Sequence, residues 1–132
     1  MKRSFAIILT FLFISLRNFG YSQSLQFCED VGSNGVAIKP SSVFSIESKG
    51  GYLKCLTSLP YRVGTSNVNY EVYRIDSEGN EKYDNTIQQA VDPSWTWFYK
   101  EITFYDEGRY NIYVYDSDKN FLASQQIRIQ YY

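Results

Sequence analysis

A corner followed by a strand is the most constraining feature of this sequence. Asp106, Gly108 and Tyr110 form an Asp-x-Gly-x-Tyr corner, and residues 109–116 then alternate strictly between the two faces of an extended chain. In two-layer β proteins, a tyrosine at such a corner hydrogen-bonds through its hydroxyl to upstream backbone. The segment therefore predicts a late strand of a small antiparallel β-sandwich, and it indicates architecture rather than chemistry.

Turn-forming residues recur along the rest of the chain at the spacing of such a sandwich. Valine, isoleucine, threonine and aromatic residues dominate the segments between them, as β-propensity requires. Seven strands are predicted, near 43–48, 52–59, 67–75, 82–91, 95–105, 109–116 and 121–130. The predicted fold class is all-β, a seven-stranded antiparallel β-sandwich.

Alternation with a period of two also assigns the side chains that face the core. The inward set is Phe44, Ile46, Leu53, Cys55, Leu59, Val68, Tyr70, Val72, Tyr83, Ile87, Val91, Phe98, Ile102, Phe104, Tyr110, Ile112, Val114, Ala123, Ile127 and Ile129. These residues suffice for one contiguous core between two sheets.

The first 22 residues have the pattern of a secretory signal peptide. Lys2 and Arg3 precede an apolar stretch at 5–16, and Gly20 and Ser22 supply small residues before a cut at Gln23. The apolar stretch is shorter than the ~20 residues of a spanning helix. We therefore expect a secreted, periplasmic or cell-surface protein with no membrane span after cleavage; an uncleaved anchor is the alternative.

Residues 23–42 are rich in turn formers and are predicted to be an N-terminal arm, followed by the sandwich at 43–132. Without the signal segment the chain has 10 basic and 14 acidic residues. A mildly acidic module lacks the basic patch with which proteins bind nucleic acid or anionic membranes. The expected partner is therefore a protein or a cell-surface glycan, and no oligomeric state is predicted.

Cysteine and histidine content restricts the chemistry further. The sequence has no histidine, which removes Ser-His-Asp and Cys-His catalysis and the commonest zinc ligands. Cys28 and Cys55 would meet an oxidising compartment, so a disulfide is predicted between them, with two unbridged thiols as the alternative.

The outward positions of two strands carry an unusual number of tyrosines. Tyr73 on the third predicted strand and Tyr113 and Tyr115 on the sixth would lie side by side, since these strands are neighbours in sandwiches of this type. Exposed tyrosines are amphipathic and cost little entropy to order, which suits partner binding. Tyrosine is also a common strand residue, so a purely structural role is the alternative.

A second aromatic group begins the fifth predicted strand. Trp95, Trp97 and Tyr99 would share one face at ~7 Å steps, a spacing that suits stacking under successive sugar rings. Packing at the end of the sandwich is the alternative. A third candidate is the loop at 59–62, which could be offered to a protease as an inhibitor.

The acidic turns of the chain do not match known metal or catalytic patterns. Residues 116–120 resemble the start of a calcium loop, but Phe121 and Ile127 stand where an EF-hand needs glycine and glutamate. No carboxylate pair is predicted to share a pocket as a glycosidase requires. The sequence therefore predicts no enzyme activity, no metal site and no cofactor.

The segment from Gly108 to Ile129 resembles the closing hairpin of immunoglobulin-like and fibronectin-III-like modules in exported bacterial proteins. It is more loosely similar to the C-terminal sorting domains of Bacteroidota secretion substrates. Those domains follow a large cargo and usually end in a basic residue, whereas this chain ends Gln130-Tyr131-Tyr132. The resemblance implies an immunoglobulin-like fold and an exported location.

Together with the tyrosine-rich face, this resemblance predicts a non-catalytic binding or adhesion module. Carbohydrate binding and protease inhibition are the alternatives.

Overall fold

The computed structural model describes residues 23–132, and the predicted signal peptide lies outside them. This part of the chain is all-β and contains ten strands. They are β1 (Ser24–Cys28), β2 (Asp30–Val31), β3 (Ala37–Ile38), β4 (Val43–Ile46), β5 (Gly51–Ser58), β6 (Asn67–Ile75), β7 (Glu81–Ala90), β8 (Trp97–Phe104), β9 (Gly108–Asp116) and β10 (Phe121–Tyr131).

The strands form two layers and a small hairpin. One sheet has three strands in the order β1-β5-β8, and the other has five in the order β4-β10-β9-β6-β7. β2 and β3 pair with each other in the hairpin. β4 runs parallel to β10, unlike the predicted antiparallel arrangement, and the other pairs in the two main sheets are antiparallel. In residues 23–132 we find no helix with the length and apolarity needed to span a bilayer.

Alternation identified the core with few errors. Seventeen of the twenty predicted core side chains are buried, and Phe44 and Ile87 are partly buried against the same cluster. The described residues add four core members that the prediction missed: Leu25, Phe27, Val63 and Leu122. The seven predicted strands are all present, so the all-β sandwich is confirmed, and the three additional strands are β1, β2 and β3.

The corner predicted around Tyr110 is also confirmed. The Tyr110 hydroxyl donates a hydrogen bond of 2.7 Å to the backbone carbonyl of Asp106. The Tyr110 ring is buried against Phe104, at 5.0 Å between ring centroids. The corner therefore joins the loop before β9 to the core.

Tyr83 is the one predicted core residue that the structure places outside. A β-bulge shifts the register of β6 and β7 from the pair Val72–Asn85 to the pair Tyr73–Tyr83, which leaves Asp84 without a partner. One extra residue reverses the face of every side chain beyond it. Tyr83 therefore lies on the outer face of the sheet and is 61% exposed.

The predicted N-terminal arm also differs from the structure. Residues 24–28 form β1, which pairs with β5 and contributes Leu25 and Phe27 to the core. The sandwich therefore begins before residue 43. The prediction missed this strand because the turn formers that follow it dominate the local composition.

Candidate functional site

The outer surface of the five-stranded sheet carries a group of aromatic residues, which we call the tyrosine face. Its members are Tyr73, Tyr83, Tyr113, Tyr115 and Phe121. Residues directly opposite in an antiparallel ladder project to the same side, and the register pairs Tyr73 with Tyr83 and Tyr115 with Phe121. Three of these residues are predicted candidates, and the structure brings them together as expected from their parity.

The rings of the tyrosine face pack edge to face. Tyr73 lies between Tyr83 and Tyr113, with ring centroids at 5.8 Å and 5.5 Å and interplanar angles of 74° and 82°. Tyr115 and Phe121 meet at 6.1 Å and 69°. Edge-to-face contacts are a favoured geometry for aromatic pairs, so these rings are held in defined positions. Tyr83 and Phe121 are exposed, while Tyr73, Tyr113 and Tyr115 are half-buried.

Two glutamates are hydrogen-bonded into the tyrosine face. The Tyr73 hydroxyl donates to Glu71 Oε1 at 2.9 Å. Glu81 Oε2 accepts from the Tyr113 hydroxyl and, at 2.6 Å, from Asn111 Nδ2. Each carboxylate therefore fixes one tyrosine hydroxyl and retains a second oxygen for other contacts.

These hydrogen bonds affect the ionisation of both partners. The bonds from Tyr113 and then Asn111 hold the pKa of Glu81 below its usual range. The bond to Glu81, followed by burial, raises the pKa of Tyr113 to about 12. The bond to Glu71 likewise raises the pKa of Tyr73. At neutral pH the tyrosine face therefore combines neutral phenols with an ionised Glu81 carboxylate.

The sequence does not predict the full extent of this face. Alternation assigns Tyr83 to the core, and it gives no role to Glu81 or Phe121. The bulge at Asp84 moves Tyr83 outward, and composition alone does not specify which residue of a strand stays unpaired. The pairing of Phe121 with Tyr115 depends on the β9–β10 register, which a single sequence does not specify.

The second aromatic group lines a groove along β8, the edge strand of the three-stranded sheet. Trp95, Trp97 and Tyr99 all contribute to this groove, whose volume is about 720 Å³. Gln89 crosses to it from β7 and donates through Nε2 to the Tyr99 carbonyl at 2.8 Å. The structure therefore brings the three predicted residues into one concave surface.

Their arrangement differs from a regular strip on one strand. Trp95 precedes β8 and its amide hydrogen-bonds to the Asp92 carbonyl, so the predicted strand start at 95 is wrong by two residues. Trp97 is half-buried because its ring lies over Gly35, where an added Cβ would come within 2.6 Å of the indole. Trp95 and Tyr99 are the more accessible rings, at 44% and 41% exposure.

The two cysteines differ from the predicted disulfide, because both are buried free thiols. β1 pairs with β5 so that Cys28 is opposite Lys54, while Cys55 is opposite Phe27. Opposite residues share a face, so the two cysteines project to opposite sides of the sheet. Cys55 belongs to the central core, and Cys28 Sγ lies 3.6 Å from the Lys54 carbonyl.

The turn that resembles the start of a calcium loop is closed by its own hydrogen bonds. Asp116 Oδ1 accepts from the amides of Asp118 and Asn120, and Oδ2 accepts from Asn120 Nδ2. Within residues 23–132, no three acidic or cysteine side chains converge as a metal site requires.

The candidate inhibitory loop at 59–62 is tied to its neighbours. Leu59 is buried and its amide bonds to the Thr96 carbonyl, while the amide of Val63 bonds to the Trp95 carbonyl. Pro60, Tyr61 and Arg62 remain exposed between these anchors. Protease inhibition stays a prediction.

Comparison with a solved structure supports the fold class. An immunoglobulin-like protein from Pseudomonas aeruginosa superposes with a TM-score of 0.50 at 12% sequence identity, over 80% of this chain and 91% of that chain. The chain has an immunoglobulin-like fold. A CARDB domain from Pyrococcus furiosus, solved in complex with di-metal ions, gives a TM-score of 0.40 at 13% identity, over 84% of this chain and 93% of that chain. No protein-family model matches this chain, and no curated protein matches its sequence.

Proposed function

We propose that this immunoglobulin-like chain is a non-catalytic, exported binding module that contacts a protein partner through the tyrosine face. The observation that carries the proposal is the fixed geometry of Tyr73, Tyr113 and Tyr115 on adjacent strands. Each ring meets another aromatic ring, and two of the hydroxyls are hydrogen-bonded to glutamates.

Pre-ordered tyrosines are well suited to protein contacts. Association loses about 0.5–1.5 kcal/mol for each flexible side chain that it immobilises. Rings that already pack together have less freedom to lose, and tyrosine is enriched among the residues that dominate interface energetics. The tyrosine face therefore offers apolar area and hydrogen-bonding groups at a low entropic cost.

We assign no catalytic residue. The sequence has no histidine, and the hydrogen bonds to Glu81 favour its ionised form, which is unsuited to proton donation at neutral pH. Glu81 accepts hydrogen bonds from Tyr113 Oη and Asn111 Nδ2, so its carboxylate holds these two side chains in position. A binding role follows more directly from the same contacts.

The export part of the proposal depends on the sequence of residues 1–22. Removal of this segment would leave Gln23 as the first residue. Intact mass measurement of the protein recovered from the producing cell's envelope and medium would test it. A mature N terminus at Gln23 supports the proposal, and an uncleaved protein in the cytoplasm contradicts it.

The partner contact is tested by replacing Tyr73, Tyr113 and Tyr115 together with serine. The purified variant and the wild type are crosslinked to native cell envelopes, and the captured proteins are identified by mass spectrometry. We expect a protein captured by the wild type to be lost. Tyr52→Ser is the matched control, because Tyr52 is 62% exposed on the other sheet.

Circular dichroism must show that the triple variant keeps its β-sheet spectrum. Equal capture of the same protein by the folded triple variant would contradict the proposed function.

The groove along β8 supports carbohydrate binding as a second candidate. Trp95 and Tyr99 are exposed in a concavity of about 720 Å³, a size within the usual range of ligand sites. Titration with soluble polysaccharides should change the tryptophan fluorescence, and Trp95→Ala should remove most of that change. A blank glycan array with the wild type would exclude this candidate.

A further inference from the structure

The outer surface of the five-stranded sheet carries charges of both signs on different strands. Glu71 on β6 and Glu81 on β7 accept hydrogen bonds from the tyrosines, while Arg109 on β9 is paired directly with Arg128 on β10. Glu81 and Arg109 are both opposite Ile75, so the row of the sheet that holds Glu81 also holds the two arginines. Glu71 is opposite Tyr113, so its carboxylate belongs to the aromatic part of the face. A partner that covers this surface therefore meets carboxylates on β6 and β7 and arginines on β9 and β10.

We propose that the partner places a lysine or arginine side chain against the outer surface of Tyr73, Tyr83 and Tyr113, where Glu71 and Glu81 supply the counter-charge. This inference rests on the proposed function and names the chemistry of its partner.

The ring geometry favours a cation at this position. Tyr83 and Tyr113 flank Tyr73 at steep angles, with centroids within 6 Å of the Tyr73 ring. Tyr83 is the most exposed of the three rings, and a cation within about 6 Å of an aromatic centroid is attracted by the ring quadrupole. Aromatic groups of this kind bind alkylated or guanidinium cations in other proteins.

Glu71 and Glu81 add negative charge that attracts a cationic side chain and does not attract a neutral one. One oxygen of Glu81 accepts from Tyr113 and Asn111, and one oxygen of Glu71 accepts from Tyr73. The remaining carboxylate oxygens are acceptors for a guanidinium or ammonium group, and charge-assisted hydrogen bonds are stronger than neutral ones.

The ligand class is tested with short peptides as probes. The purified wild-type protein is titrated with an arginine tetrapeptide, acetylated and amidated at its ends, and the ring resonances of Tyr73, Tyr83 and Tyr113 are followed by NMR. The corresponding glutamine and glutamate tetrapeptides serve as neutral and acidic controls. We expect saturable shifts with the arginine peptide, and weaker binding when sodium chloride is raised, because the interacting charges lie at the protein surface.

The double variant Glu71→Gln, Glu81→Gln should bind the arginine peptide roughly 3- to 30-fold more weakly, as expected for loss of exposed cation and charge-assisted contacts. Glu78→Gln, Glu101→Gln is the matched control, since Glu78 lies in the β6–β7 turn and Glu101 on β8 of the other sheet. Equal binding of the glutamine peptide or unchanged affinity of the Glu71/Glu81 variant would overturn the inference.

Envelope capture separates this inference from the proposed function. If the Tyr73/Tyr113/Tyr115 variant loses the captured protein and the Glu71/Glu81 variant retains it, the binding function stands and the cationic partner is wrong. If the tyrosine variant retains the protein, the proposed function itself fails.

Discussion

Tyr73 and Tyr83 face each other across β6 and β7, with ring centroids 5.8 Å apart, because Asp84 is left unpaired beside them. Without that extra residue, the alternation that places Ile87 toward the core would also place Tyr83 there. The bulge thus adds an exposed tyrosine to the candidate binding surface. It does so at the edge strand, where bulges are common and an approaching partner meets little obstruction.

Tyr83 should contribute to partner binding more than to stability. We expect Tyr83→Ser to weaken capture of the envelope partner roughly tenfold, in the range of an interface hot spot. Because the ring is 61% exposed, the free energy of unfolding should fall by less than about 1 kcal/mol. Affinity and urea unfolding measured on the same preparation check both values. Tyr52→Ser should leave affinity unchanged, and a comparable loss there would contradict a localised surface.

Tyr113 should ionise only at high pH. The hydrogen bond to Glu81 raises its pKa from 10.0 to about 12, so the stabilisation from this bond is fully present below pH 10 and is lost as pH rises through 12. Glu81→Gln removes the negative charge, and we expect the pKa of Tyr113 to move down toward 10.0. NMR titration of the ring resonances follows this change, with Glu78→Gln as control; an unchanged Tyr113 titration would disprove the coupling.

Low pH should weaken the hydrogen bond between Tyr113 and Glu81 because it protonates the Glu81 carboxylate. The pKa of Glu81 is lowered by its hydrogen bonds from Tyr113 and Asn111. The resulting stabilisation is present above the unfolded-state value near 4.5 and is lost as pH falls through the lower folded-state value. We expect unfolding midpoints to show this loss below pH 4.5 in the wild type and a smaller loss in Glu81→Gln. Identical acid profiles would refute it.

Tyr110→Phe should destabilise the fold through the corner. The substitution keeps the buried ring and removes the 2.7 Å hydrogen bond to the Asp106 carbonyl. We expect a loss of about 1 kcal/mol, the usual net value of such a bond, measured by urea unfolding. Tyr52→Phe, at an exposed position, should change stability by less than about 0.5 kcal/mol.

Two hairpins use the same five-residue turn with a different residue at its strained position. In each, the first Asp accepts from two later amides, and positive φ falls on Gly79 in the β6–β7 turn and on Lys119 in the β9–β10 turn. A left-handed conformation costs a non-glycine residue about 1–2 kcal/mol. Lys119→Gly should therefore stabilise the protein by about 0.5–1 kcal/mol after the entropic cost of glycine.

Gly79→Ala is the reciprocal variant and should destabilise the protein. Its φ is 87°, and an added Cβ would meet no atom within 4 Å, so any effect reports backbone strain alone. Thermal unfolding of both variants checks the pair. Destabilisation by Lys119→Gly would show that the lysine side chain makes contacts that outweigh the strain.

The sequence was most informative where local chemistry determines structure. Alternation identified most of the core on the long strands, and Tyr110 makes the predicted hydrogen bond to backbone upstream of it. Both features depend on residues close together in the chain. Tyr73, Tyr113 and Tyr115 are assigned to the outer face by the same alternation.

The remaining features depend on long-range register. The bulge at Asp84 decides the position of Tyr83, and it arises from the way β7 pairs with β6 rather than from β7 alone. The separation of Cys28 from Cys55 follows from the pairing of β1 with β5, in which they fall on opposite sides of the sheet. The number of cysteines does not show which side of the sheet each one faces, because a one-residue change of register moves every side chain of a strand to the opposite face.

The parallel pairing of β4 with β10 gives the module a direction in which it resists tension. Val43 is aligned with Arg128 and Ile46 with Tyr131. If the chain is pulled from residue 42 and from residue 132 in opposite directions, these strands slide along each other, and their hydrogen bonds are loaded together in shear. An antiparallel pair pulled from adjacent ends would instead open one bond at a time. The mechanical strength of the β4–β10 pair therefore depends on the parallel direction of its two strands.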